Sequence, residues 1–187
     1  MQRIVLISFA FLAAALGSGC SSVAPQYSAS MENVQKLKDA GNVTARVGEF
    51  SSNESLKKSP DLSLRATSLV SPYDNSYSRY LAEAIKQELT LAGKLAPGAD
   101  VEISAVLLKN SIDASGFVTG YGDIEARFIV RRKGVQKYDK VKSAHSEWES
   151  SFVGAIALPK AKQEYPLLVQ KLLAALYADP EFAQALH

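Results

Sequence analysis

Cys20 is the residue in this chain best placed to do chemistry. It is the only cysteine, and it follows Gly17-Ser18-Gly19 at the end of an uncharged apolar run, Ile4–Leu16. Met1–Arg3 supplies a short basic opening. A basic start, an apolar stretch and small residues at a boundary form the layout of a secretory signal peptide. The run is shorter than the roughly 20 apolar residues that span a bilayer. A thiol at the cleavage point can carry a thioether-linked lipid. Once acylated, it is lost to disulfides and metals.

The remaining chemistry-bearing residues are sparse. His145 and His187 are the two histidines. His145 has Glu147 two places on, so both share a strand face, yet two ligands leave a metal site incomplete. Ser150 and Ser151 follow closely, but the Gly-x-Ser-x-Gly elbow of a hydrolase is missing, so no triad is expected. Gly116, Gly120 and Gly122 lack the spacing and the Gly-Lys-Ser/Thr of a phosphate loop and are read as permitting turns or a bulge. Carboxylate pairs such as Glu147/Glu149 occur on any strand surface. No catalytic set, no metal site and no cofactor are expected.

Two surface features are candidates for contact. Arg131, Arg132 and Lys133, with Lys137, Lys140 and Lys142, concentrate charge on one hairpin that suits lipid phosphates or an acidic partner. The bland alternative is a solvated hairpin whose lysines discourage edge pairing. Trp148 and Phe152 bring large apolar area to Trp148–Ala157, either as a strand end packed under the last helix or as an interface anchor.

The first 22 residues resemble those of bacterial lipoproteins, whose lipobox ends in the modified cysteine. Gly17 stands where that family prefers Leu, and Leu16 lies one place further back. The resemblance implies cleavage after Gly19, several acyl chains on Cys20 and attachment to a membrane. Ser21 stands where Asp marks retention at the inner membrane, which implies transfer to the outer membrane, facing the periplasm.

Loss of the first 19 of 187 residues leaves 168, enough for one domain. The formal charge of +2 falls to +1 without Arg3, which argues against a nucleic-acid binder. Residues 20–42 are expected to hold the lipidated terminus and a tether, with Ser21–Ser30 flexible and a short helix over Met31–Ala40. Residues 43–187 are expected to form one domain. Alternation predicts strands around Val43–Phe50, Leu62–Leu64, Val101–Leu108 and Ile124–Arg131, with a return over Val135–Glu149 after a Lys133-Gly134 turn. Val101–Leu108 is apolar on both faces, as in a doubly covered strand. Ser51–Pro60 and Lys109–Gly116 are read as polar loops. Helices are predicted over Ser76–Leu91, with Glu83, Lys86 and Glu88 on the outer face, and from Pro159 through Leu176, kinked or restarted at Pro166. A short helix follows Asp179-Pro180.

These elements make an α+β two-layer sandwich: a mainly antiparallel sheet of about four to five strands covered by two main helices. The layout of residues 43–177 resembles small YajG-like and transport-auxiliary envelope lipoproteins, whose domain looks like the N-terminal module of TolB. Ala126–Arg132, Tyr138–Lys140 and Trp148–Ala155 are similar to stretches of uncharacterised bacterial lipoproteins. The expected role is a non-catalytic accessory, scaffolding or assembly factor with an envelope protein partner. The alternative is a module for a small or lipidic ligand, auxiliary to a transporter, with Leu168, Leu172 and Leu176 lining a groove.

Overall fold

The computed structural model describes residues 21–65 and 67–187. The elements run β1 (Ser21–Val23), α1 (Met31–Asp39), β2 (Ala45–Ser52), α2 (Glu54–Lys58), β3 (Leu62–Leu64), β4 (Thr67–Val70), α3 (Tyr77–Leu91), β5 (Val101–Asp113), β6 (Thr119–Arg132), β7 (Val135–Glu149), α4 (Gly154–Tyr177) and α5 (Pro180–Leu186). The fold is α+β. The larger sheet has the order β2-β5-β6-β7, with β2 parallel to β5 and the other pairs antiparallel. A smaller sheet has the order β1-β4-β3, with β1 parallel to β4.

One face of the larger sheet forms the core. Ile103, Ala105 and Leu107 of β5 and Ile124, Ala126, Phe128 and Val130 of β6 are buried against α3 and α4. The opposite face of β5 is half-buried at Glu102, Val106 and Leu108, so the expected double covering is corrected to a two-layer arrangement. The expected loop at Lys109 is strand. A bulge between Leu107 and Lys109 shifts the register, and the buried positions change from odd to even at Asn110 and Ile112. That phase change hides the second half of β5 from a simple alternation count. Ser51–Pro60 holds the end of β2 and the short α2, capped by the Asn53 side chain accepting from Leu56 N–H at 3.0 Å.

Helix α3 is capped by Ser76 and followed by Gly93 at φ +71°. Helix α4 starts five residues before Pro159 and runs unbroken through both Pro159 and Pro166. Each interior proline costs about 3 kcal/mol. Against that, Ala161, Tyr165, Leu168, Val169, Leu172, Leu173 and Leu176 are all fully buried, and keeping one stripe in register outweighs a break. At the far end of the sheet, Lys133 (φ +50°) and Gly134 (φ +80°) form the tight β6–β7 turn, both central residues left-handed as a two-residue hairpin requires.

Trp148 resolves in favour of the core. It is 6% exposed and lies opposite Gly120 across β6–β7. A Cβ on Gly120 would collide with the indole, and one on Gly122 would sit 3.4 Å from its Cζ3. The two glycines therefore make a slot for the ring. Gly120→Ala is expected to cost about 1–3 kcal/mol, read as a fall in Tm. In a Trp148→Ala background the same change should cost less than half as much; equal costs in both backgrounds contradict the slot.

Candidate functional site

The segment after Cys20 is built into the domain. Cys20 and the residues expected to form a signal peptide lie outside the described residues, but from Ser21 onward the expected flexible tether is corrected. Ser21, Ser22 and Val23 pair with Ser68, Leu69 and Val70, and Ala24 N–H donates to the Val70 carbonyl at 2.9 Å. Ala24 and Tyr27 are buried. Tyr80 Oη donates to the Pro25 carbonyl at 3.0 Å, and Gln170 Nε2 donates to the Ser28 carbonyl at 2.7 Å. The folded body therefore includes residues 21–42.

Glu88 is the centre of this attachment. It was expected on the outer face of α3, yet it is fully buried. Its Oε1 accepts from Tyr27 Oη at 2.6 Å, Ser30 N–H at 3.1 Å and Asn33 Nδ2 at 3.2 Å. Asn33 Nδ2 also donates to the Gln170 carbonyl of α4 at 3.0 Å. One carboxylate thus joins the N-terminal segment, α1 and α3, with α4 alongside. Burial pushes the Glu88 carboxyl up from its ordinary range, against the pull of the Tyr27, Ser30, Asn33 and Tyr177 hydrogen-bonding groups. Sequence spacing did carry a signal: Glu88 lies seven residues after Leu81 and four after Ala84, on the apolar stripe.

The other singled-out residues fall in separate places. Arg131, Arg132 and Lys133 sit at the β6–β7 tip. Arg131 reaches Ser104 Oγ at 3.5 Å and Lys133 lies 3.6 Å from Asp100. Lys140 and Lys142 both turn to Asp179, the N-cap of α5, at 3.6 and 2.7 Å. The hydrogen bond from Lys142 holds the Asp179 carboxyl well below its usual range. Much of the basic stripe is thereby occupied within the molecule. Phe152 is at the opposite end of β7 and is 72% exposed. Since β6 has 14 residues, the hairpin tip and Phe152 are about 40 Å apart and cannot form one contact surface with the buried Trp148.

His145 lies on the exposed sheet face, its Nδ1 2.9 Å from Asp123 Oδ1 and its Nε2 3.8 Å from Glu147. The hydrogen bond from His145 holds Asp123 below its usual value. Ser150 Oγ is buried without a hydrogen-bond partner, and Ser151 Oγ accepts from Val153 N–H at 3.1 Å. Neither serine hydroxyl meets the imidazole. Among the described residues, no group of three His, Cys, Asp or Glu side chains is arranged to hold a metal.

Two features were not legible in the sequence. Arg65, at φ +54° in the β3–β4 turn, donates to the carbonyls of Ala114, Ser151 and Phe152 at 2.7, 2.6 and 2.9 Å. It fastens the β5–β6 loop to the β7–α4 connection, where Phe117 and Phe152 face each other with ring centroids 5.2 Å apart. The second is a half-open cleft of about 300 Å³ between α2, β5 and the start of α3, lined by Leu56, Pro60, Leu62, Tyr77 and Asn110 among others. Asn110 Oδ1 itself is buried, without a hydrogen-bond partner. The expected groove under Leu168, Leu172 and Leu176 is corrected, because all three are fully buried core.

No family model matches the chain, and no curated protein matches its sequence. Solved structures do match. A protein from Xanthomonas campestris of family DUF330 is 12% identical, with a TM-score of 0.55 over 84% of this chain and 95% of its own. A hypothetical protein from Chlamydia trachomatis is 11% identical, with a TM-score of 0.42 over 73% of this chain and 96% of its own. The first likeness is one of fold.

The buried carboxylate is testable on this chain directly. Glu88 takes up a proton more readily in the folded protein than in the unfolded chain. Between the ordinary carboxylate range and its raised value the folded state binds more protons, so this contribution to stability falls as pH rises. Glu88→Gln keeps an acceptor without the charge. It is expected to match or exceed wild-type stability near about pH 8, and to converge with wild type as pH falls towards the ordinary carboxylate range. Glu88→Ala strands the Tyr27, Ser30 and Asn33 donors and is expected to cost on the order of 3 kcal/mol. Urea unfolding reads both; equal losses in the two variants contradict the clamp.

Proposed function

We propose that this chain is a lipoprotein of the bacterial cell envelope. Its signal is removed after Gly19, Cys20 is acylated, and the protein is held at the periplasmic face of the outer membrane. The domain acts there by contact, as a non-catalytic accessory or assembly factor for another envelope component. The observation that carries the reading is the junction at Cys20. The small residues Gly17–Gly19 end at the only cysteine, and the next residue, Ser21, already belongs to a strand. Cleavage there removes the leader without cutting into the folded body.

Among the described residues, no helix is long and apolar enough to cross a membrane. In this reading, attachment rests on the acyl chains, which hold stably when there are two or more. Confinement to a membrane raises the local concentration of the domain beside a membrane-bound partner. The basic tip at Arg131, Arg132 and Lys133, far from the anchored end, is the surface such a partner meets.

The cleft beside Asn110 favours a second reading, a module for a small ligand auxiliary to a transporter. Its partly apolar lining suits a small ligand of mixed polarity.

Intact mass spectrometry and fractionation test the principal reading. Wild type is expected to begin at an acylated Cys20 and to sediment with outer membranes, whereas Cys20→Ser is expected in the soluble periplasmic fraction. An unmodified start, or identical fractionation of the two, contradicts it.

A further inference from the structure

At one end of the molecule, five of the twelve exposed large apolar side chains among the described residues sit on two adjoining connections. Phe117 and Val118 belong to the β5–β6 loop, and Phe152, Val153 and Ile156 to the β7–α4 connection and the first turn of α4. They are 69, 72, 72, 51 and 62% exposed. Single exposed apolar residues are unremarkable, but a paired-aromatic cluster of this kind marks a contact surface. The two connections are held rigidly. Arg65 joins them through three carbonyls, and Ser150 N–H donates to the Val118 carbonyl at 2.7 Å. The apolar tips are thus presented outward rather than left free to fold back.

The position of the anchor says what covers them. Ser21 pairs with Ser68, three residues beyond Arg65, whose guanidinium touches the Phe152 carbonyl at 2.9 Å. Along that path, Ser21, the residue that follows Cys20 in the sequence, lies on the order of 20 Å from the cluster. The strand pairing and the Glu88 clamp leave no slack after Ser21 through which the domain could drift from the bilayer. We propose that Phe117, Val118, Phe152, Val153 and Ile156 form a second membrane contact, inserted into the same leaflet that holds the acyl chains of Cys20. The pair of contacts fixes the orientation of the domain. The β5–β6 and β7–α4 connections face the lipid, and the Arg131–Lys133 tip points about 40 Å away from it. This inference rests on the lipoprotein reading, and it adds to that reading an orientation and a lipid-facing surface.

The acyl chains alone retain the protein, so the test reads depth rather than attachment. Cys20 is the sole cysteine, and its thiol is blocked by acylation. A nitroxide can therefore be placed uniquely at Val118→Cys or, as reference, at Gln136→Cys beside the basic tip. Both sites are exposed, so little loss of stability is expected. The full lipidated chain is reconstituted into vesicles of phosphatidylethanolamine and phosphatidylglycerol. Collision rates with oxygen, which concentrates in lipid, and with a water-soluble nickel chelate are then measured.

The label at position 118 is expected to show at least a fivefold higher oxygen-to-nickel ratio than the label at 136. Phe117→Asp/Phe152→Asp in the same protein is expected to abolish the difference. A label at 118 as open to nickel as the one at 136 overturns the proposal. So does a label shielded from both reagents, which means that a second copy covers the cluster. Mass spectrometry of the same sample separates the two levels. Lipidated, vesicle-bound protein with a water-exposed label sinks the contact alone, whereas an unmodified Cys20 sinks the lipoprotein reading and this proposal with it.

Discussion

A single buried carboxylate ties the segment that begins at Ser21 to the body of the molecule. Glu88 is fully buried and accepts from Tyr27, Ser30 and Asn33. Taking an ionisable group out of water is costly unless its hydrogen bonds are satisfied. Here the three groups that donate to its Oε1 come from the N-terminal segment and α1. The segment therefore cannot detach without stripping these hydrogen bonds from the carboxylate it leaves behind on α3, at a cost of about 1–3 kcal/mol. The ten residues Ser21–Ser30, which composition alone assigns to a flexible linker, are thereby made part of the domain.

That constraint decides what a lipid at Cys20 would do. On a flexible linker an anchor confines a domain but leaves its orientation free. With β1 starting at the next residue, an anchor at Cys20 would be joined to a rigid body at a defined end. The larger sheet then acts as a ruler. Its long antiparallel strands separate the Arg65-fastened apolar connections from the Lys133-Gly134 tip. The acidic N-cap Asp179 absorbs Lys140 and Lys142, which leaves Arg131–Lys133 as the charged feature at the far end.

The regular elements were legible because their side chains repeat. The stripe Tyr77, Tyr80, Leu81, Ala84, Ile85 and Leu89 gives α3, Asp179-Pro180 gives α5, and Ile124–Val130 gives β6. Failures trace to interactions that leave no side-chain pattern. Strand β1 pairs through its backbone over three residues, too few for alternation to register. The bulge in β5 inverts the alternation midway. Pro166 argues for a break that the buried stripe on both sides overrules. At Glu88 charge argues for the outer face and spacing for the apolar stripe, and the stripe position prevails because the carboxylate finds donors in the core. Trp148 and Phe152 are four residues apart and equally apolar, yet one fills a slot over Gly120 and the other faces outward. That difference depends on the partner strand, which sequence alone does not pair.

Amide hydrogen exchange at Ala24 and Ser30 tests the central claim most directly, because their N–H groups donate to the Val70 carbonyl and to Glu88. If the segment from Ser21 to Ser30 is welded to the body, these amides exchange only through openings as rare as those that expose α3, with protection of several orders of magnitude over an unstructured peptide. Exchange at the unstructured rate, in a protein whose α3 amides remain protected, would mean a free linker and contradict the account.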